Sequence, residues 1–344
     1  MSTVSEQHVA QRRIFFGPLG EALERIAPQG PVALLGSARS LAAIPDDAFR
    51  ETSVHRYDGS REHNPRAVVD HAGALVDLHN CATVVAIGSS SAIDLGKAAS
   101  DGRGVALVLI PTALGGAEMS RGYGVLEGDR KAGGRLTQPA GTVIYDGALL
   151  ATLGARELGS IGINAWAHTI EARYARMEHR LGSAAALEAG RALPPLLIRA
   201  AEHRDDALHR ALFEAAHLAG FALDTRSMGL HHAVCHVVGG LTRIPHGIVN
   251  TVVLPHAVRA NAKLAPGAVA AVAEGFGIPD LAARAEEIAA AHGLPRTFAE
   301  LGVPADLIAR AVPRVMASPL LENNPVRPDE ATVTELLAAS YAGN

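Results

Sequence analysis

Short apolar runs alternate with helical periodicity through the first half of this chain. Pro31-Val-Ala-Leu-Leu-Gly36, Ala82-Thr-Val-Val-Ala-Ile-Gly88, Val105-Ala-Leu-Val-Leu-Ile110 and Thr142-Val-Ile-Tyr-Asp146 read as strands. Between them Val68, Ala72, Leu75 and Val76 recur at helical spacing, so this half reads as a parallel sheet with crossover helices, suited to a dinucleotide. Near residue 150 the pattern changes. Ala- and Leu-rich amphipathic stretches follow, among them Ser183 to Ala201, Leu208 to Ala222 and Leu281 to Ala291, with few β-branched runs. The pattern predicts an α/β dinucleotide-binding domain over 1–152 and an all-helical catalytic domain over 153–344. No internal repeat stands out, and Gly122 to Gly141 reads as a loop or hairpin within the first domain.

Composition narrows the class. The 344 residues suit two domains, each able to bury a core. Although 48% of them are hydrophobic, every apolar run is broken well short of the roughly 18 residues a membrane span needs, so no membrane partner is expected. The start, Met-Ser-Thr-Val-Ser-Glu-Gln-His, lacks a basic stretch followed by an apolar core, and no secretory signal is read there. Two cysteines, Cys81 and Cys235, are too few for a disulfide framework and fit a cytoplasmic location. Cys235 adjoins His236 and has the chemistry of a nucleophile, but a small buried packing residue is the better reading. A net charge of −4 with no basic tract argues against nucleic acid.

The histidines are unevenly spread: five of the sixteen, at 231, 232, 236, 246 and 256, fall in one stretch. Upstream, Gly162-Ile-Asn-Ala-Trp-Ala-His-Thr-Ile-Glu171 has good helix formers and no proline, which puts Asn164 and His168 on one helical face. His232 and His236 share a face in the same way, and Gly239-Gly240 is expected to end that pattern before Pro245-His246-Gly247. Imidazole is the commonest transition-metal ligand and is easily tuned for proton transfer near neutral pH. Any one of these residues alone is more simply a hydrogen-bonded core or surface histidine. As a set they point to chemistry on a polarised oxygen.

Three strand-to-helix turns are candidates for holding a nucleotide. Gly88-Ser-Ser-Ser91-Ala-Ile-Asp94-Leu-Gly96-Lys97 has small residues that let backbone N–H groups approach a pyrophosphate at a helix N-terminus. An ordinary turn, with Ser91 capping the helix and Asp94 completing a capping box, explains the same residues equally well. Pro111-Thr112-Ala-Leu-Gly115-Gly116-Ala-Glu118-Met-Ser120 offers hydroxyls at Thr112 and Ser120. Gly36-Ser37-Ala-Arg39-Ser40 carries no acidic residue for a ribose 2′-hydroxyl, whereas Arg39 suits a 2′-phosphate; this mildly favours NADPH, or no strict preference.

These segments resemble the iron-containing alcohol dehydrogenase superfamily, in which a helix carries Asp-x-x-x-His and a later segment reads His-x-x-x-His…Pro-His-Gly. The matching residues are Asn164, His168, His236 and Pro245-His246-Gly247. Within the superfamily the chain is most similar to maleylacetate reductases. The echoes are Gly162-Ile-Asn-Ala-Trp-Ala-His168 with Asn in the Asp position, Gly229-Leu-His-His-Ala-Val-Cys-His236-Val-Val-Gly-Gly240, Thr251-Val-Val-Leu-Pro-His256, and Asn324-Pro-Val-Arg-Pro328…Tyr341-Ala-Gly. The likeness runs almost end to end, from Ile14-Phe-Phe-Gly17 to the last residues.

The resemblance implies a dehydroquinate synthase-like fold, a homodimer, and reduction of maleylacetate to 3-oxoadipate in the breakdown of aromatic compounds. It implies NADH or NADPH held by Gly36, Ser37, Arg39, Gly88, Ser89, Ser90, Asp94, Lys97, Thr112, Leu114, Ser120 and Lys131. His168, His236 and His246, with Asn164, would be catalytic, stabilising an enolate oxygen. His231, His232 and Arg243 are candidate cationic anchors for the carboxylates of the substrate, with Lys131 and Arg121 as further possibilities. Fe or Zn, if bound, would sit among Asn164, His168, His236 and His246. An amide in place of the carboxylate weakens such a site, and the expectation is that a metal is not required.

Departures keep alternatives open. Ser89 and Ser90 stand where the superfamily's phosphate loop has glycines, which is tolerable only at negative φ. Pro245-His246-Gly-Ile-Val-Asn250 replaces the reductases' common Pro-His-Ala-Glu-Thr-His, so Gly247 and Asn250 match the alcohol dehydrogenase branch. A metal-dependent alcohol, aldehyde or oxo-acid dehydrogenase is therefore the main alternative. A lyase resembling dehydroquinate synthase would need clustered basic groups that the helical half lacks, and retention of three histidines speaks against a catalytically dead interaction partner.

Overall fold

The computed structural model describes residues 5–9, 12–50, 52–62, 64–127 and 130–343, with the backbone alone at 5–9 and 130–131. It divides into two compact units, Met1–Leu153 with Asp205–Glu214, and Gly154–Arg204 with Ala215–Asn344.

The first unit is built on strands β1 (Ser5–Val9), β2 (Arg12–Phe16), β3 (Val32–Leu35), β4 (Val54–Tyr57), β5 (Thr83–Gly88), β6 (Ala106–Pro111) and β9 (Thr142–Tyr145), in the order β1-β2-β9-β6-β5-β3-β4. All neighbours run parallel except β1 and β2. The four strands read from the sequence are β3, β5, β6 and β9, whose apolar runs are continuous because both faces are covered. Alternate residues serve opposite sides: Leu34, Val85 and Val108 pack with helix α1 (Leu19–Ile26), while Ala33, Val84 and Leu109 pack with α3 (Arg66–Leu78) and α4 (Ser90–Ser100). Strand β4, Val-His-Arg-Tyr, gives no such signal because it is an edge strand with partly exposed side chains. Gly122 to Gly141 contains an antiparallel hairpin of β7 (Gly122–Glu127) and β8 (Arg130–Arg135).

Strand order reverses between β3 and β5, since β4 lies on one side of β3 while β5, β6 and β9 lie on the other. In a doubly wound sheet such a switch point leaves a crevice at the carboxyl ends of the strands. Two short helices, α2 (Ala38–Leu41) and α5 (Gly147–Leu150), follow β3 and β9.

The described residues of the second unit are helical, without a strand. They form α6 (Ala155–Tyr174), α7 (Arg180–Glu202), most of α8 (Asp206–Arg226), α9 (Leu230–Thr242), α10 (His246–Leu264), α11 (Pro266–Phe276), α12 (Leu281–Ala291), α13 (Leu307–Met316) and α14 (Glu330–Ala342). Helix α6 is buried on nearly every side, with Trp166 wholly enclosed and its indole N–H donating to Gly190 O at 3.1 Å. Valines and leucines of α9, α10, α13 and α14 form the main core, including Val234, Val238, Val252, Val253, Val312 and Leu336. The expected break at Gly239-Gly240 does not occur. Both glycines face open space, where each costs only about 1 kcal/mol in a helix, and α9 continues to a left-handed cap at Arg243 (φ 57).

Candidate active site

Helix α6 carries a polar stripe on an otherwise apolar surface. Asn164, His168 and Glu171 recur at helical spacing and all three are buried. Helix α9 meets that stripe with His231 and His232, both 0% exposed, and α10 begins beside it with His246. The approach of α10 depends on Gly247, where a Cβ would lie 2.9 Å from Ser160 Oγ on α6.

His232 is the centre of the cluster. Its ring stacks on His168 at 4.7 Å between centroids, meets His231 edge-on at 4.6 Å, and lies 6.0 Å from both His236 and His246. His236 and His246 are 5.7 Å apart. His232 Nδ1 is 2.5 Å from Glu171 Oε2 and its Nε2 is 3.1 Å from Asn164 Oδ1. Glu171 also accepts the backbone N–H of His231 at 2.9 Å, so a carboxylate from α6 caps the first turn of α9. Asn324 completes that cap, accepting from Leu230 N at 3.2 Å and donating to Asn261 Oδ1 at 2.7 Å. The Asn324-Pro segment thus fixes the register of α9, and with it the two histidines.

Burial decides the charge state. Desolvation is the main cause holding His168 and His232 well below the ordinary histidine range, and neighbouring imidazoles add to it. His231 is lowered to about 4, mainly by burial, with Glu171 opposing. Burial likewise raises Glu171 above the usual carboxylate value, against the backbone hydrogen bonds that it accepts. The buried imidazoles are neutral at pH 7. His231 and His232 were expected as cationic anchors for substrate carboxylates, and the structure corrects this: both are enclosed and uncharged, and they build the cluster instead. Arg243 is exposed at the end of α9, and His236, also on α9, is exposed as well. Cys235 is buried 3.4 Å from His231 Nε2, and burial raises its thiol well above the usual range, which suits packing and not nucleophilic attack.

The donor set admits a divalent cation, though only through neutral atoms. With Nδ1–H of His232 given to Glu171, Nε2 carries a lone pair and faces the amide oxygen of Asn164, while the buried Nδ1 of His168 has no hydrogen-bond partner. Asn164, His168, His232 and His246 are the residues that would hold an ion, which corrects the expected set: His232, against Asn164 and His168, takes the place of His236, whose ring is exposed one turn later. Glu171, His231 and His232 also lie close enough to suggest one, but their atoms are spent on one another and on backbone N–H groups. An all-neutral set binds Fe²⁺ or Zn²⁺ more weakly than one containing a carboxylate.

In the first unit the expected nucleotide residues gather at the carboxyl ends of β3, β5 and β6. A Cβ on Gly36 would meet Ile87 O at 2.7 Å, and Thr112 N donates to Gly88 O at 3.0 Å. Gly88 has φ +146, and a Cβ there would meet that of Ala92 at 2.7 Å, so the turn into α4 requires glycine. Ser89 (φ −71) is the N-cap of α4 but its side chain makes no cap hydrogen bond, and Ser90 has no positive φ either, so both replacements of glycine are tolerated. Ser91 is not the cap, contrary to the ordinary-turn reading, and Asp94 accepts from Gly124 N at 3.0 Å instead of closing a capping box. The N–H groups of this helix end are therefore open to an anion, whereas Ser37 spends its hydroxyl on a capping box with Ser40 in α2.

Several expected contacts are redirected. Lys97 is fully buried, its Nζ donating to Gly122 O at 2.7 Å and lying 3.3 Å from Ser120 Oγ and Asp94, so these three side chains brace the β7–β8 hairpin. Leu114 is enclosed in the core at 0% exposure, and Arg39 donates to Thr152 O at 2.7 Å. The side chain of Lys131 lies outside the described residues. Sequence reasoning missed Glu171, although its helical spacing from His168 was visible, and missed Asn261, which no motif marks.

Comparison with known proteins identifies the family. The family model for iron-containing alcohol dehydrogenase matches residues 12–143, and that for the C-terminal part of the Fe-containing alcohol dehydrogenase family matches 160–341. The chain is 31% identical to maleylacetate reductase 1 of Rhodococcus opacus over 96% of its own length and 95% of the relative. It is 34% identical to the maleylacetate reductase of Sphingobium indicum over 90% and 86%. The crystal structure of maleylacetate reductase from Agrobacterium tumefaciens superposes with a TM-score of 0.86 at 27% identity, covering 100% of this chain and 99% of that one. With both units matched over these spans, the chain belongs to the iron-containing alcohol dehydrogenase family of oxidoreductases and is similar to its maleylacetate reductases.

Proposed function

We propose that this chain is an NAD(P)H-dependent reductase of maleylacetate, forming 3-oxoadipate in the cytoplasmic degradation of aromatic compounds. The observation that carries the reading is the imidazole cluster of His168, His232, His236 and His246 around Asn164. The reaction takes one hydride and one proton across a carbon–carbon double bond conjugated to a ketone, and oxidises NAD(P)H to NAD(P)⁺. When bound, the reduced nicotinamide supplies the hydride, and the open N-terminus of α4 with Gly36, Gly88 and Thr112 supports its pyrophosphate.

As hydride arrives at the alkene carbon β to the ketone, charge moves onto the ketone oxygen. The imidazole N–H groups of His168, His236 and His246 stabilise that enolate as donors, while His232, whose N–H is given to Glu171, is held in place beside them. The exposed ring of His236 and solvent water are the proton sources for the adjacent carbon, because His168 and His232 are held below the range in which they carry a spare proton. Arg39 gives one nitrogen to Thr152 O and keeps its other N–H groups for a 2′-phosphate, which supports use of NADPH as well as NADH.

A second reading, a metal-dependent alcohol, aldehyde or oxo-acid dehydrogenase, is favoured by the unpartnered His168 Nδ1 and by the lone pair of His232 Nε2 facing Asn164 Oδ1. One assay separates the two. Purified protein with maleylacetate, chelator and either reduced cofactor is expected to oxidise the cofactor. Turnover confined to simple aldehydes with added Fe²⁺ or Zn²⁺ would replace the first reading by the second.

A further inference from the structure

The helical unit contains a cavity of about 520 Å³ that shares no residue with the imidazole cluster. Its walls come from Thr251, Pro255, His256 and Arg259 of α10, Glu286 of α12, and the segment from Pro295 to Glu300. That volume is within the range of small-molecule sites.

The polar groups on these walls are left open in a particular way. His256 is 8% exposed, lines the cavity, and among the described residues neither ring nitrogen has a hydrogen-bond partner. Burial holds this ring below the ordinary histidine range, with Arg259 adding to the effect, so it presents one N–H and one lone pair. Arg259 is neutralised by Glu286 at 2.7 Å. Arg296 differs: its backbone N–H donates to Glu300 Oε2 at 2.9 Å, but its guanidinium has no ion pair among the described residues. Thr297 Oγ1 accepts from Glu300 N at 3.1 Å, which leaves its hydroxyl proton to donate. Pro255 has no N–H, so the carbonyl of Thr251 one turn earlier lacks its α-helical donor. Among the described residues that line the cavity, Arg296 is therefore a cation without an ion pair, set beside a small set of neutral donors and acceptors.

We propose that this cavity is a second ligand site, taking a small monocarboxylate that carries a hydroxyl or oxo group. Its carboxylate pairs with Arg296, and its oxygen substituent meets His256, Thr297 and the Thr251 carbonyl. Glu286 and Glu300 on the same walls disfavour a multiply charged anion such as phosphate. The site does not depend on the reaction proposed above.

The test uses the whole protein with L-lactate, propionate and inorganic phosphate as probes, followed by NMR titration of ligand signals and of the His256 ring nitrogens. Lactate is expected to saturate the site with a millimolar Kd and to shift the His256 resonances. Propionate, which lacks the hydroxyl, should bind more weakly, and R296Q should weaken lactate by about tenfold or more while the fold is unchanged by circular dichroism. Binding of phosphate as tight as that of lactate, lactate binding undiminished in R296Q, or no saturable binding to the wild type would each overturn the proposal.

Discussion

Acidification should destabilise the helical unit well above the pH at which carboxylates titrate. Three fully buried histidines, His168, His231 and His232, have folded-state pKa values below the ordinary 6.5. A group depressed in this way contributes stability that is complete above its unfolded pKa and is lost as pH falls toward its folded value. For His231 the window runs from 6.5 down to about 4. Within it each such histidine costs about 1.4 kcal/mol per pH unit, so one unit below 6.5 the three together remove about 4 kcal/mol. Glu171 acts with the opposite sign: its raised pKa lets the folded state take up a proton first, which offsets part of the loss. The remainder is still a large share of the roughly 5–15 kcal/mol that holds a domain together. The assay is urea unfolding in chelator-containing buffer from neutral pH downward, followed through Trp166, the single tryptophan, which is buried in α6. The midpoint should fall steadily below pH 6.5, and H231Q should show a shallower fall by about one histidine's share. A flat midpoint down to pH 5, or an unchanged slope in H231Q, would refute the assignment of these rings as buried and neutral.

Three further outcomes follow from particular contacts. E171Q keeps the volume but loses the anionic acceptor of His232 Nδ1 and of the α9 first turn; it should cost about 1–3 kcal/mol by thermal melting and lower kcat more than the KM for cofactor. N164D places a carboxylate among the imidazoles, so calorimetric titration with Zn²⁺ should show binding at least about tenfold tighter than in the wild type, while the metal-free variant melts lower. G88A forces a side chain onto a backbone at φ +146 and against Ala92; it should destabilise the first unit by about 1–3 kcal/mol and weaken NADH binding, read by nicotinamide fluorescence.

Much of the fold was legible because its strongest signals are periodic. Strands β3, β5, β6 and β9 are covered on both faces and so are apolar along nearly their whole length, and α12 lies where its Ala/Leu pattern put it. Where a segment is only partly buried, as in β4, the pattern carries too little contrast to read. The nucleotide turns were legible as small-residue strand ends, but the partners of Asp94 and Lys97 were not, because they lie on a hairpin some thirty residues downstream, Gly124 and Gly122.

The site shows the same division more sharply. The His-x-x-x-His spacing of 232 and 236 says that both rings share a face of α9, and nothing in that spacing says which of them is enclosed. Enclosure is set at one end of the helix. Glu171 and Asn324 hold the first turn, so His231 and His232 are carried inward, whereas His236, one turn later, emerges toward solvent. Both residues that do this lie far from α9 in sequence, and only a long-range contact reveals them. The motif thus identified the helix and the chemistry, while the division of labour between a buried, neutral, oriented His232 and an exposed His236 comes from tertiary packing. If that division is right, H232Q should lower both stability and turnover, whereas H236Q should lower turnover with the melting temperature nearly unchanged. Equal melting temperatures for the two variants would contradict it.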